Sequence, residues 1–160
     1  MAATFQFSES NLVGEVVQDN ITNLNFGDID DHELVPSSYP IVVGTNSYEK
    51  FLRAKFGGTG WTEISNMKFW KSLGAYKTGE NIKVDEVTAY ATPVKTTSSR
   101  AVTTAPVDLA GAIVVHSAAG TTTITVAGYT RYICLQLQTS GSTPSGALNT
   151  KTWTFQYDEV

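Results

Sequence analysis

The strongest constraint on this chain is an alternation of aromatic and polar residues close to its C-terminus. Residues 152–157 read TWTFQY, so that Trp153, Phe155 and Tyr157 share one parity and polar residues take the other. Successive side chains of a β-strand point to opposite faces of a sheet, and a period of two therefore predicts a half-buried strand. The C-terminal part of the chain is predicted to be β-structure.

The same period recurs upstream. In residues 129–138, Ile133, Leu135 and Leu137 point one way, while Cys134 falls on the polar face. Further strands are predicted at residues 22–26, 41–43, 64–70, 82–90, 113–115 and 121–126, with a loop rich in Gly, Ser and Pro at 140–149. The predicted shared core consists of Trp153, Phe155, Ile133, Leu135, Ile124 and Val126.

Residues 47–56 fit two patterns. Tyr48, Phe51, Leu52 and Phe56 could line one helical face with Ser47 as cap, but every second residue from 48 to 56 also fits a strand face. The glycine-rich stretch at 57–60 resembles a hairpin turn, which favours the strand.

About eight short strands without a long helix predict an all-β fold, an antiparallel β-sandwich of Ig-like or jelly-roll type. Residues 1–160 are expected to form one domain. Residues 1–12 carry few apolar groups and are predicted to be an N-terminal arm, and residues 92–105, rich in Thr and Ser, a long surface excursion.

Composition narrows the function. The chain has 22 Thr and 13 Ser but only 16% charged residues, and Thr suits the solvent face of a strand. A net charge of −4 argues against nucleic acid as a partner, and no apolar run reaches the roughly 20 residues that span a membrane. The single Cys134 excludes an internal disulfide, and the first residues do not resemble a signal peptide. We expect a protein used without secretion.

Few residues suggest chemistry. His32 and His116 are the only candidate general bases near neutral pH, and no nucleophile stands at a recognisable spacing from either. Asp28, Asp30 and Asp31 form a dense acidic cluster, but a polar turn explains them as well as calcium does. We therefore predict no enzyme activity, no cofactor and no metal site.

Aromatic residues are the candidate contacts with a partner. Trp61 and Trp70 flank a segment with apolar residues on both parities, as in a strand buried on both sides or one at a subunit contact. Phe5 and Phe7, in the predicted arm, complete the set of possible partner contacts.

Four stretches carry a family resemblance: YPIVVG at 39–44, NSYEKFLR at 46–53, ISNMKFW at 64–70 and TWTFQYDE at 152–159. As a set they resemble small virion structural proteins of tailed bacteriophages, among them capsid decoration (cement) proteins and head–tail components. The resemblance carries over no catalytic or binding residue.

The resemblance implies a non-enzymatic protein of the virion, assembled in the host cytoplasm. Its expected partners are the major capsid protein or other virion proteins, and we expect a homo-oligomer, with a trimer favoured by shell symmetry. Two alternatives stay open. One is a carbohydrate-binding or receptor-recognition sandwich, motivated by the tryptophans, and the other is a neck or tail connector.

Overall fold

The computed structural model describes residues 2–160, which form an all-β structure of two antiparallel sheets. The strands are β1 (Thr4–Asn11), β2 (Val16–Asp19), β3 (Lys50–Gly57), β4 (Ile64–Leu73), β5 (Glu80–Val87), β6 (Thr103–Thr104), β7 (Ile113–Val114), β8 (Gly128–Tyr129), β9 (Tyr132–Thr139) and β10 (Thr152–Glu159). No helix occurs within residues 2–160, and accordingly none there could cross a membrane. The predicted all-β fold is confirmed.

The two sheets differ in size. The larger has the order β2-β1-β3-β9-β5-β6, with β8 pairing with β3, and the smaller has the order β10-β4-β7. Aromatic side chains from both sheets interlock between them: Phe5 of β1 lies 5.5 Å from Phe155 of β10, and Phe69 of β4 stacks on Trp153 at 5.1 Å, centroid to centroid. Packing of the inner faces in this way is consistent with the predicted β-sandwich.

The predicted core is largely correct. Ile124, Ile133 and Leu135 are buried in one cluster, and Trp153 and Phe155 pack against it. The prediction is wrong for Val126, because 74% of its surface is exposed.

Residues 121–126 are not the strand that was predicted. Ile124 forms only an isolated bridge with Ile64. Instead of joining a ladder, the Thr121 hydroxyl donates to the carbonyl of Thr123 at 2.6 Å, and the Thr121 amide donates to Ser117 Oγ. Local bonds between hydroxyl groups and the backbone compete with sheet pairing, which alternation alone does not reveal.

Residues 47–56 are resolved in favour of the strand. β3 buries every second side chain from Lys50 to Phe56 and pairs with β1 on one side and β9 on the other. Lys50 therefore lies inside the larger sheet's packing, where a lysine requires a charged or polar partner.

The predicted N-terminal arm is wrong. Residues 4–11 form β1, an inner strand between β2 and β3, with Phe5 opposite Phe56 and Phe7 opposite Ala54. The polar end of β1, from Ser8 to Asn11, is buried, and each of these side chains makes at least one internal hydrogen bond. Ser8 Oγ donates to Asp19, for example, at 2.5 Å.

Residues 22–26 and 41–43 are not strands either. They belong to a long connection between β2 and β3 that closes on itself, since the Asp28 amide donates to the Tyr39 carbonyl at 3.0 Å. The predicted loop at 140–149 is free of strand structure.

The outer face of the larger sheet is covered as well. Cys134, expected on a polar face, is fully buried with Phe51, Ala101 and Tyr132. The segment 92–105, expected as a surface excursion, contributes part of this cover. Gln136 fixes it by accepting from the Ser98 amide at 2.9 Å and donating to the Thr96 carbonyl at 2.8 Å. The hydrogen bonds of Gln136 thus hold the 92–105 segment over the outer face of β9, which the sequence predicts to be exposed to solvent.

Candidate interaction surfaces

The tip of the β1–β2 hairpin, residues 12–15, holds apolar side chains in solvent. Val13 is 83% exposed, and Leu12 beside it is 37% exposed. Val16 and Val17 of the adjoining edge strand β2 are more than 40% exposed. Single exposed apolar residues are ordinary on a protein surface, whereas here four of the six residues 12–17 are apolar and exposed.

The backbone of this tip is strained. Leu12 has φ = +65°, Gly14 +86° and Glu15 +57°. For residues other than glycine, the left-handed region costs about 1–2 kcal/mol each. Such residues persist only where their surroundings fix them.

The Glu15 carboxylate provides one fixing point. Its Oε1 accepts hydrogen bonds from Ser10 Oγ at 2.9 Å, Tyr132 OH at 2.5 Å and Arg53 Nη2 at 3.3 Å. Burial, followed by the bond to Glu15, raises the pKa of Tyr132 to about 12, so the phenol stays a donor at all physiological pH values. The tip is thereby tied to β3 and β9.

Leu12 provides the second fixing point through its main chain. Its amide donates to Asp30 Oδ2 at 2.8 Å, and its carbonyl accepts from Tyr90 OH at 2.5 Å. Asp30 also accepts from Asn11 Nδ2 at 3.0 Å. These internal bonds engage the tip's main chain at Leu12 and the Glu15 carboxylate, while the side chains of Leu12 and Val13 stay exposed.

A cleft of about 1140 Å³ opens on the inner side of the larger sheet. Phe7, Leu52, Ile82 and Leu137, from four neighbouring strands, lie beneath it, and the last three are at most 5% exposed. The difference in sheet size accounts for it: the smaller sheet is too narrow to cover the larger one, and connections cover the remainder.

Two segments without regular structure over most of their length, residues 21–26 and 143–151, supply much of the cleft lining, together with Thr152 and Trp153 of β10. Between them, residues 22–26 and 144–150 make no backbone–backbone hydrogen bond to any part of the described chain. Two charged side chains line the cleft, Glu80 and Lys151, and they pair with each other at 2.6 Å. The two charges of the lining therefore neutralise each other, and two main-chain carbonyls of the lining are engaged as well, since Ala147 O accepts from Lys77 Nζ and Asn149 O from Lys151 Nζ.

The predicted contacts Phe5 and Phe7 are half-buried and pack against the core. Phe5 packs against Phe56, Phe155 and Tyr157, and Phe7 lies 6.0 Å from Phe155. They belong to β1, which lies between β2 and β3, and they contribute to the packing between the sheets. Only Phe7 reaches a candidate surface, as part of the cleft floor.

The two predicted tryptophans do not form one platform. Trp61 packs against the core, and its Nε1 donates to the Gly57 carbonyl at 3.0 Å. Trp70 is half-buried on β4, opposite Thr154 and next to the inward-facing Phe69. None of the four predicted contacts belongs to the hairpin tip. A glycine-containing turn with Leu and Val at its apex was the overlooked signal.

The acidic residues of the 28–32 turn serve separate structural roles. Asp28 pairs with Lys95, Asp30 holds the hairpin tip, and Asp31 Oδ1 accepts from the Glu33 amide at 3.0 Å. His32 Nδ1 lies 3.8 Å from Asp31. Within residues 2–160 no three His, Cys, Asp or Glu side chains come together in a way that could hold a metal ion.

His116 is held by one carboxylate. Its Nδ1 lies 2.9 Å from Glu86 Oε2 and its amide donates to Glu86 Oε1 at 2.5 Å, while Arg131 approaches the same carboxylate at 3.4 Å. The neighbouring Ser117 hydroxyl is engaged with Thr121 Oγ1 at 2.6 Å. This cluster links β5 to the segment after β7 and to the connection between β8 and β9, and its geometry is that of a structural anchor.

Comparison with known proteins yields no relative: no family model, no curated protein and no solved structure matches the chain.

Proposed function

We propose that this chain is a non-enzymatic structural protein of a bacteriophage virion, most specifically a decoration protein that binds the assembled capsid and stabilises it. The observation that carries the proposal is the hairpin tip, residues 12–15. A strained turn, held by bonds to Glu15 and Leu12, keeps apolar side chains exposed.

A tip of this kind suits docking. Because its backbone is already fixed, binding costs little conformational entropy, which is the usual penalty for a loop that orders on contact. Its exposed groups are apolar, so the complementary surface is an apolar recess on a neighbouring protein.

Stabilisation of a shell then follows from mass action. A protein that binds the assembled state and not the free subunits favours assembly by RT ln(1 + [L]/Kd), about 2.7 kcal/mol per site at a hundredfold excess over Kd. Shell symmetry also favours a trimer of this chain at three-fold positions.

The test uses particles of the phage that encodes the chain, made with and without its gene. The protein is expected in purified wild-type particles by mass spectrometry and at regular positions on the shell by cryo-electron microscopy. Purified protein should co-sediment with the deficient particles and raise the temperature at which they release DNA. Absence of the protein from wild-type particles would overturn the proposal, and density confined to the neck or tail would identify a connector instead.

A paired variant locates the contact. Val13→Asp should weaken attachment at least tenfold, because it puts a charge into an apolar contact. Val107→Asp is the matched control, since Val107 is 59% exposed on a different loop and should attach as the unaltered protein does. Equal attachment of both variants would remove the hairpin tip from the interface.

Trp70 favours carbohydrate recognition as a second candidate. It lies half-buried on β4, and its neighbours on that face of the smaller sheet include Lys68, Ser72 and Thr154. An aromatic ring beside hydroxyl and ammonium groups is a common arrangement for stacking on a sugar. A glycan array probed with the unaltered protein and Trp70→Ala tests it: binding that disappears in the variant would support this candidate, and no binding would reject it.

A further inference from the structure

The outer edge of strand β10, Thr152–Glu159, pairs with no strand of the described chain. We infer that this edge pairs antiparallel with the same edge of a second copy of the chain, about a twofold axis at Phe155, and so joins the two smaller sheets into one. The inference goes beyond the proposed function, because it concerns the free protein in solution, whereas the trimer favoured by shell symmetry concerns the protein on a capsid.

β10 is the long edge of this fold. Of the other sheet edges within residues 2–160, β2 has four residues and β6 and β7 have two each, whereas β10 has eight. Very short edge strands, lysines, prolines and bulges are common devices against edge pairing. β10 uses none of these four devices, because its sequence is TWTFQYDE and both of its register shifts place the extra residue in β4. The edge is therefore open to a further strand.

The main chain of β10 is free on this side. Its backbone–backbone hydrogen bonds within the described chain all go to β4, its neighbour in the smaller sheet. Free N–H and C=O groups along a regular strand are the template on which another strand is added. A partner strand would satisfy these groups without any change in the fold.

Aromatic side chains line the same side of the sandwich. β7, at the far end of the smaller sheet, approaches β5, so β10 lies on the side of β1. There Phe155 and Tyr157 pack on Phe5 at 5.5 and 5.6 Å, and both stay partly exposed although they belong to the core packing. Aromatic residues are enriched in protein–protein interfaces. A second copy at the β10 edge would lie beside them.

The sequence of β10 is complementary to itself in an antiparallel pair. Residues opposite each other point to the same face of a sheet, so the inner faces of the two copies coincide only if paired residue numbers have an even sum. With Phe155 opposite its own copy, Trp153 lies opposite Tyr157 and Thr154 lies opposite Gln156. Aromatic residues then pair with aromatic ones and polar residues with polar ones, an arrangement that stabilises neighbouring strands.

Charge favours the same arrangement. The acidic residues of β10, Asp158 and Glu159, stand at one end of the strand, and this register places Asp158 opposite Thr152 of the second copy. A parallel pair would instead place the acidic residues of the two copies side by side, and like charges opposite each other destabilise a sheet. A twofold contact uses the same patch on both subunits, which a self-complementary strand provides. The edge therefore fits a second copy of this chain.

Sedimentation equilibrium of the full chain is the first measurement. A dimer is expected with a dissociation constant in the micromolar range, since one strand pair is a small contact. Amides of residues 152–158 should gain protection from hydrogen exchange as the dimer forms. A protein that stays monomeric up to millimolar concentration, or forms an assembly other than a dimer, would overturn the inference. Protection of these amides in a monomer bound to capsids would identify a capsid strand as the partner and overturn the second copy.

Two double variants test the register. Thr154→Lys/Gln156→Lys places lysines opposite each other on both sides of the axis and should weaken dimerisation at least tenfold. Thr154→Lys/Gln156→Glu places a lysine opposite a glutamate at both positions and should dimerise at least as tightly as the unaltered protein. Both residues alternate with the inward-facing aromatics, so both variants should still unfold cooperatively. Equal dimerisation of the two variants, whether retained or lost, would overturn this register.

The edge of the larger sheet provides the matched control. Val16→Lys/Gln18→Lys makes a similar change in the exposed strand β2 and should leave the dimer intact. Loss of the dimer in this variant alone would move the contact to β2 and overturn the assignment to β10. None of these measurements requires capsids, so a failure here and a failure of the proposed function are separate results.

Discussion

Lys50 offers the sharpest test of how this fold holds charge in its interior. Its side chain is 1% exposed, as is that of Glu9, and the two meet at 2.7 Å. Lys50 Nζ also donates to the Asp31 carbonyl at 2.7 Å, while Glu9 Oε2 has no hydrogen-bond partner within the described chain. Lys50→Met keeps the volume and removes the charge.

The expected loss is large. Removing one partner of a buried ion pair leaves the other charge uncompensated and costs about 3–5 kcal/mol. For a chain of this length, each 1 kcal/mol shifts the melting temperature by about 2–4 °C, so the variant should melt about 6–20 °C lower. Replacing both residues in Glu9→Met/Lys50→Met should recover most of the loss, because no charge remains buried.

The loss should also depend on pH, with a sign fixed by Glu9. Burial raises the pKa of this carboxyl above its usual value, against the opposing effect of Lys50. Without Lys50 the pKa rises further. A folded-state pKa above the unfolded one makes the native state hold the extra proton, so stability falls as pH rises from about 4.5 through the folded pKa. Lys50→Met should therefore lose less stability at pH 5 than at pH 8.

Urea and thermal unfolding monitored by circular dichroism at both pH values provide the measurement. Lys83→Met is the control, since Lys83 lies half-exposed on β5 and donates only to Thr104 Oγ1. Its effect should stay within about 1 kcal/mol. A loss below about 1 kcal/mol for Lys50→Met, or a double variant no more stable than the single, would refute the uncompensated-charge reasoning.

Three further outcomes are expected. Deleting residues 2–11 should abolish cooperative unfolding because it removes inner strand β1, whereas deleting only residues 2 and 3 should not. An unchanged melting curve after deletion of residues 2–11 would contradict the strand assignment. Cys134 should not react with a thiol reagent until urea unfolds the chain, because it is fully buried and burial raises the pKa of its thiol; reaction of the native protein would contradict this. Gly74→Ala should destabilise the fold at least twice as much as Gly14→Ala. Both glycines have φ near +90°, but only the Cβ added at position 74 would meet a backbone oxygen, Thr150 O, at 2.2 Å. Equal melting temperatures of the two variants would refute this reasoning.

Alternation predicted the strands whose apolar residues face one way. β5, β9 and β10 have this pattern in the sequence and were found. β4 was predicted although its apolar residues lie on both parities, and β3 was preferred to a helix because of the glycine-rich stretch that follows it. Alternation failed at β1, where Glu9 is buried by a lysine that lies 41 residues further along the chain. No local pattern reports such a partner, so residues 4–11 resembled an arm. It failed in the opposite sense at 121–126, where the Thr121 hydroxyl donates to the Thr123 carbonyl and the alternating segment joins no ladder.

The candidate surfaces were harder to predict than the fold. The cleft exists because one sheet is wider than the other, a property of strand order that no single segment contains. Predicting the hairpin tip would have required two facts together, the presence of a turn and the identity of the distant hydrogen-bond donors that hold it. Tyr132 and Arg53 belong to strands recognised for their alternation, but their bonds to Glu15 follow only from the register of β3 with β1 and β9.

The buried charges and the hairpin tip are physically connected. Lys50 fixes the Asp31 carbonyl, and Asp30, the preceding residue, holds the Leu12 amide. The interior pair Glu9–Lys50 therefore positions the 28–32 turn, and this turn restrains the exposed hairpin tip. A hydrophobic pair at positions 9 and 50 would restore stability but would leave the Asp31 carbonyl without its donor. Buried ion pairs are weak sources of stability, and here the geometry gives this one a second role, because it orients an acidic turn that an apolar core could not hold.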